Sequence, residues 1–170
     1  MIFYIAQGIG FIGMAVVFWS FQQNDKRKFL WIQASANAII TLHFIFLGAF
    51  TGMGMNFIAI PRNLILAQKH NKRRKFLLTA AFIAAFVTLG IITWESEFSL
   101  LPICAISIST IGFSLEKPRH IRLMSLPVAS LWLIYNIIVF SVAGALTESF
   151  CLCSILIAIF RFDILKRKDN

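Results

Sequence analysis

The sequence predicts an all-α membrane protein. Seven transmembrane helices form two parallel three-helix bundles plus a linker helix (3+1+3), with the N-terminus outside and the C-terminus cytoplasmic. Three observations carry this expectation. Hydrophobic residues make up 59% of the 170 and charged residues 14%, whereas a soluble domain holds about 45–50% and about 25%. Mean hydropathy is +0.81, more hydrocarbon than a single core can hide, so the solvent is a bilayer. Finally, the apolar runs between basic clusters are about one or two spans long, at about 20 residues per span.

The elements follow in order. Residues 2–21 make the first span. Residues 29–67 make two, turning at "LGAFTGMG", where glycines and a threonine loosen the helix. Residues 76–94 make the fourth and 98–113 the fifth, separated by "WESE". Residues 122–165 make the sixth and seventh, turning near "AGALTES". The first span lacks a basic leading region, so it does not read as a cleavable signal.

Charge tests the count independently. Of sixteen Lys and Arg residues, fourteen gather at Lys26–Lys28, Lys69–Lys75, Lys117–Arg122 and Lys166–Lys168. Alternating the loops puts all four clusters on one side, while the other carries Glu95, Glu97 and Glu148. Positive charge stays cytoplasmic during insertion. The net charge of +9 is therefore an orientation signal that also meets anionic lipid, and nucleic acid is not an expected partner.

Several motifs carry no chemistry. "GIGFIG" (Gly8, Gly10, Gly13) fits a dinucleotide fingerprint, but that chemistry needs a preceding strand and a distant acid. Inside a span, such spacing serves close helix packing. Cys104, Cys151 and Cys153 lie in apolar sequence and read as small buried residues, not as a disulfide or metal set. No nucleophile–base pair, paired carboxylate or ligand cluster lies within the spans. The chain therefore reads as no enzyme, with no cofactor and no metal.

A repeat organises the chain. "IAIPRNLIL" (Ile58 to Leu66) and "IAIFRFDIL" (Ile157 to Leu165) share six of nine positions, and "LGAFT" (from Leu47) is similar to "AGALT" (from Ala143). Residues 1–67 form one three-helix unit, 68–97 a basic loop and linker helix, and 98–170 a second unit. The odd linker span keeps the units parallel, a known transporter plan with the substrate path between repeats.

The order "FQQNDKRKFL…Q…H…LGAFTGMGMN…RN" resembles the bacterial inner-membrane YgjV family, on Phe21 to Leu30, Gln33, His43, Leu47 to Asn56, Arg62 and Asn63. The resemblance implies a multi-pass protein of the bacterial inner (cytoplasmic) membrane, related to the SWEET, PQ-loop and PnuC-like transporters. It implies no substrate. The Pro-Gln dipeptide of PQ-loop proteins is absent, so no sugar specificity carries over.

Polar residues in hydrocarbon need partners. Gln33, Asn37 and Thr41 form one helical stripe, with His43 on the same helix. Further candidates for a solute pathway are Asn56, Ser107, Trp132, Asn136 and Ser154, since hydroxyls, amides and an indole suit a neutral polar solute. Hydrogen bonds between helices are the alternative for each. His43 could titrate and couple a proton. With Glu148 and Asp163 near span ends, no carboxylate sits mid-span, which favours facilitated diffusion over ion coupling. Arg62 and Arg161 either snorkel to headgroups or form a symmetric cytoplasmic gate or anion contact. The expected function is a small-solute transporter or facilitator working by alternating access. The alternative is a non-transporting membrane receptor or scaffold, and a homo-oligomer is compatible with both.

Overall fold

The computed structural model describes residues 1–21, 23, 25–115 and 118–160. Seven α-helices account for most of them: α1 Ile2–Phe21, α2 Lys26–Leu47, α3 Phe50–Leu66, α4 Lys72–Ile92, α5 Leu100–Ser114, α6 Pro118–Ile138 and α7 Val142–Ile159. A 3-10 turn at Glu97–Ser99 leads into α5, and there is no strand among the described residues. Among the described residues, four stretches are long and apolar enough to cross a membrane: Ile2–Ser20, Arg27–Leu47, Lys72–Ile92 and Glu97–Ser114. Shorter apolar stretches among the described residues are Leu123–Ile138 and Val142–Ile157. α3 has 17 residues and includes Asn56, Arg62 and Asn63. Part of the basic cluster expected before the sixth span lies within α6.

Basic residues also open α2 and α4, where the positive end of the helix dipole disfavours cations by about 0.3–1 kcal/mol. Asp25 and Asn71 partly offset this. Each side chain accepts a backbone N–H one turn on, from Lys28 and Arg74, at 2.8 Å.

The packing closes a ring. α2 packs against both α1 and α3, and α6 against both α5 and α7; α1 then meets α7 and α3 meets α5. α4 lies outside this ring, against α3 and α5. Its buried residues are Thr79, Phe86 and Gly90. A Cβ on Gly54 would stand 2.7 Å from Leu89, so α3 and α4 touch closely there. The apolar core gathers Phe44, Met55, Phe86, Ile106, Trp132 and Tyr135 from five helices. Large apolar side chains from Ile2 to Phe160 cover the outside.

Gly8, Gly10 and Gly13 lie on α1, which excludes the strand–turn–helix context. Two of them mark close approach. A Cβ on Gly10 would lie 2.7 Å from Ala143 and 2.9 Å from His43, and one on Gly13 would lie 2.9 Å from Ile40. Gly8 faces open space. Cys104 and Cys153 are exposed on the outer surface, not buried as expected, while Cys151 is half-buried.

The two turns at the N-terminal end of the ring match. Gly48, after α2, and Phe140, after α6, both adopt left-handed backbone, with φ of 70° and 55°. The N–H of each bonds three residues back, to Ile45 and Ile137; the next N–H, from Ala49 and Ser141, bonds Phe44 and Asn136. Met53 and Ala145 then donate to Ala49 and Ser141. This pairing corrects the expected register. "AGALT" is not at a turn: α7 starts at Val142, so that segment lies within it.

Candidate functional site: a cavity inside the ring

A cavity of about 180 Å³ lies inside the six-helix ring. α1, α2, α3, α5, α6 and α7 all line it, and α4 contributes no lining residue. It runs from His43, Asn136 and Gly144 near the turn end to Phe29 and Phe113 near the other, basic end.

Two ties close the turn end. His43 Nδ1 donates to the Ala6 carbonyl at 2.7 Å, because a carbonyl can only accept. Its Nε2 then accepts from the Ser141 hydroxyl, also at 2.7 Å, in the neutral ring. Ser141 in turn accepts from Gly144 N at 3.2 Å, as the N-cap of α7. Gln7 completes this tie, donating to the Phe140 carbonyl at 2.9 Å and accepting from Ala143 N at 3.2 Å.

The second tie joins the opposite wall. Tyr135 Oη accepts from Gly52 N at 2.9 Å, serving one of the free donors in the first turn of α3. Glu95 accepts from Phe50 N at 2.7 Å and so supplies the cap that Ala49 lacks. Thr51 donates to the Thr93 carbonyl and meets the Ser99 hydroxyl at 3.1 Å. His43 and Tyr135 each stand five residues before their left-handed turn residue. His43 reaches from α2 to the N-cap of α7, and Tyr135 from α6 to the first turn of α3.

Deeper in the cavity, Arg62 is 2% exposed. Its Nη1 donates to Ser109 at 3.0 Å and Thr110 at 2.9 Å. Nε and Nη2 both donate to Asn63 Oδ1, at 3.1 and 2.9 Å. The guanidinium lies 5.6 Å from the Phe86 ring centre and 5.0 Å from that of Phe113. These partners are all neutral, and among the described residues no carboxylate pairs with it. This burial replaces the snorkelling expected as one reading of Arg62.

Several polar groups of the lining residues lack a partner among the described residues. Asn37 and Glu148 line the cavity, and neither side chain has a hydrogen-bond partner among the described residues. Asn136 donates to Trp132 O at 2.8 Å, but its buried Oδ1 has no partner. Asn56 donates to Gly52 O at 2.9 Å along its own helix.

Asn37, His43, Asn56, Arg62, Trp132 and Asn136 thus come together around one cavity. Two other candidates do not. Ser107 bonds back to Ile103 O at 2.7 Å and is not among the lining residues. Ser154 is exposed on the outer face of α7. Arg161 and Asp163 lie outside the described residues. Along the chain Arg161 follows Phe140 by 21 residues, whereas Arg62 follows Gly48 by 14. The two arginines therefore do not match in distance from their turns.

Glu148 is the lining residue that the sequence reading placed elsewhere. The expectation puts it near a span end, with no carboxylate mid-span; it lies six residues, about 9 Å, into α7. A serine N-cap at Ser141 is the signal that locates the helix start.

Fold and site together define a helical membrane protein built as a ring around a mainly apolar cavity that carries a few polar side chains. A family model described as "Bacterial inner membrane protein", Imp-YgjV, matches residues 4–166, and the chain belongs to this family. It is similar to the inner membrane protein YgjV of Escherichia coli (strain K12), 25% identical over 146 residues, covering 86% of this chain and 78% of that relative. No solved structure matches it.

Proposed function

We propose that this protein is a small-solute transporter or facilitator, and not an enzyme, with the cavity as its central binding site. The observation that carries the reading is a ring of six helices around buried polar groups that the protein leaves unsatisfied. In a membrane such groups cost several kcal/mol, a cost that a polar solute or water offsets. A purely structural bundle would bond them helix to helix, as it does His43.

All seven helices span the bilayer in this reading, as two triplets with α4 as the linker. The basic openings of α2, α4 and α6 face the cytoplasm, where anionic headgroups offset their unfavourable place on the helix dipole. The ties of His43 and Tyr135 then close the outer end, and the cavity extends towards the cytoplasm. Alternating access would break both ties and close the inner end near Phe29 and Phe113.

Uptake into proteoliposomes tests this. A panel of labelled sugars, amino acids, vitamins and carboxylates should include a solute that enters faster than in protein-free vesicles. No difference across the whole panel sinks the proposal.

A further inference from the structure

We infer that the cavity selects a small zwitterion, with its anionic group at Arg62 and its cationic group at Glu148. The inference rests on the binding-site reading above and names the class of solute.

Arg62 and Glu148 line the same cavity with opposite charge, yet no ion pair joins them among the described residues. Four of the five guanidinium N–H groups go to neutral oxygens. These bonds and the two flanking rings fix its plane without balancing its charge. Glu148 has no protein donor among the described residues. Arg62 is buried and Glu148 half-buried, and a charge withdrawn from water without a counter-charge is expensive. A neutral solute compensates neither group, and a simple anion or cation only one.

The repeat sharpens the argument. Glu148 stands eight residues after Phe140, and Asn56 eight residues after Gly48, and both line the cavity. At this shared station one half offers an amide and the other a carboxylate. Arg62 comes from the opposite half and has Ser154 as its counterpart by the same count. Each half thus contributes one charge, of opposite sign, with a neutral residue at the matching position.

Size and depth narrow the solute. A cavity of 150 Å³ holds benzene, so about 180 Å³ admits roughly six to eight heavy atoms. α3 and α7 start at the same end of the ring. Arg62 lies about 18 Å along α3 and Glu148 about 9 Å along α7. The anionic end of the solute therefore points towards the basic end of the ring.

Titration calorimetry on the purified protein in nanodiscs tests this with L-alanine and γ-aminobutyrate against propionate, ethylamine and glycerol. At least one zwitterion should bind about tenfold or more tightly than the three others, the factor carried by one charge-assisted hydrogen bond. Glu148→Gln should remove that advantage, leaving propionate and the zwitterion within a few-fold of each other. Propionate equal to both zwitterions in the unaltered protein, no binding by either zwitterion, or unchanged selectivity in Glu148→Gln overturns the inference. Zwitterion binding without uptake counts against transport alone, and uptake of a different solute class counts against zwitterion selection alone.

Discussion

Gly48 and Phe140 occupy the same station in two matching turns, and both hold the left-handed backbone conformation. Glycine adopts it freely, whereas a residue with a Cβ is strained by about 1–2 kcal/mol. A Cβ at Gly48 would meet nothing within 4 Å, so substitution there reports backbone strain alone. Gly48→Ala should cost about 1 kcal/mol, or about 2–4 °C in melting temperature for a chain of this size. Phe140→Gly should melt no lower than the parent. Thermal unfolding in detergent measures both, and a lower melting point for Phe140→Gly would show that the turn is not strained.

The two ties at the turn end should be separable. His43→Phe loses the bonds to Ala6 and Ser141, at about 1 kcal/mol each, for a total near 2–3 kcal/mol with the cost of the stranded hydroxyl. Tyr135→Phe strands only the Gly52 N–H, at about 1–2 kcal/mol. The ties share no hydrogen-bond partner, though both rings pack on Phe44, so the double variant should lose the sum to within about 1 kcal/mol. Unfolding of the single and double variants decides it, and a double no worse than His43→Phe would make them one unit.

Arg62 distinguishes holding the fold from serving a solute. The Ser109 and Thr110 hydroxyls each donate to Ile106 O, at 2.9 and 2.7 Å, so neither is stranded without the arginine. Replacing a buried charge by an apolar side chain of similar length is often close to neutral. Arg62→Met strands only the buried Asn63 Oδ1, so it should cost about 1–3 kcal/mol while abolishing uptake of the solute. Melting temperature and proteoliposome uptake are measured together; full uptake in a well-folded Arg62→Met protein removes this residue from the site.

Cavity access can be read by labelling. Val128 lines the cavity from α6. A Val128→Cys protein whose three native cysteines are replaced by serine should react with a membrane-impermeant thiol reagent from the cytoplasmic side. In vesicles of the opposite orientation the reaction should be slower by an order of magnitude or more. Equal labelling from both sides contradicts closure by the His43 and Tyr135 ties.

By itself the sequence determined the solvent, the helices and their order. Hydrophobic length and charge spacing are local properties, and each helix satisfies its own backbone, so composition reaches this level directly. Residues 2–21 and 98–113 were read within two residues of α1 and α5 at each end, and the α2–α3 turn lay within the glycine-rich stretch that contains Gly48. The α6–α7 turn escaped because a phenylalanine takes the left-handed position, while nearby Gly144 mimics a turn inside a helix. That shift moved Glu148 from span end to cavity. Which polar groups meet was decided only by the tertiary structure. His43 finds Ser141 98 residues away, Arg62 finds Thr110 48 away, and Ser154 faces outwards. Each outcome depends on helix rotation and ring closure, which side-chain packing between distant segments fixes and no local pattern encodes.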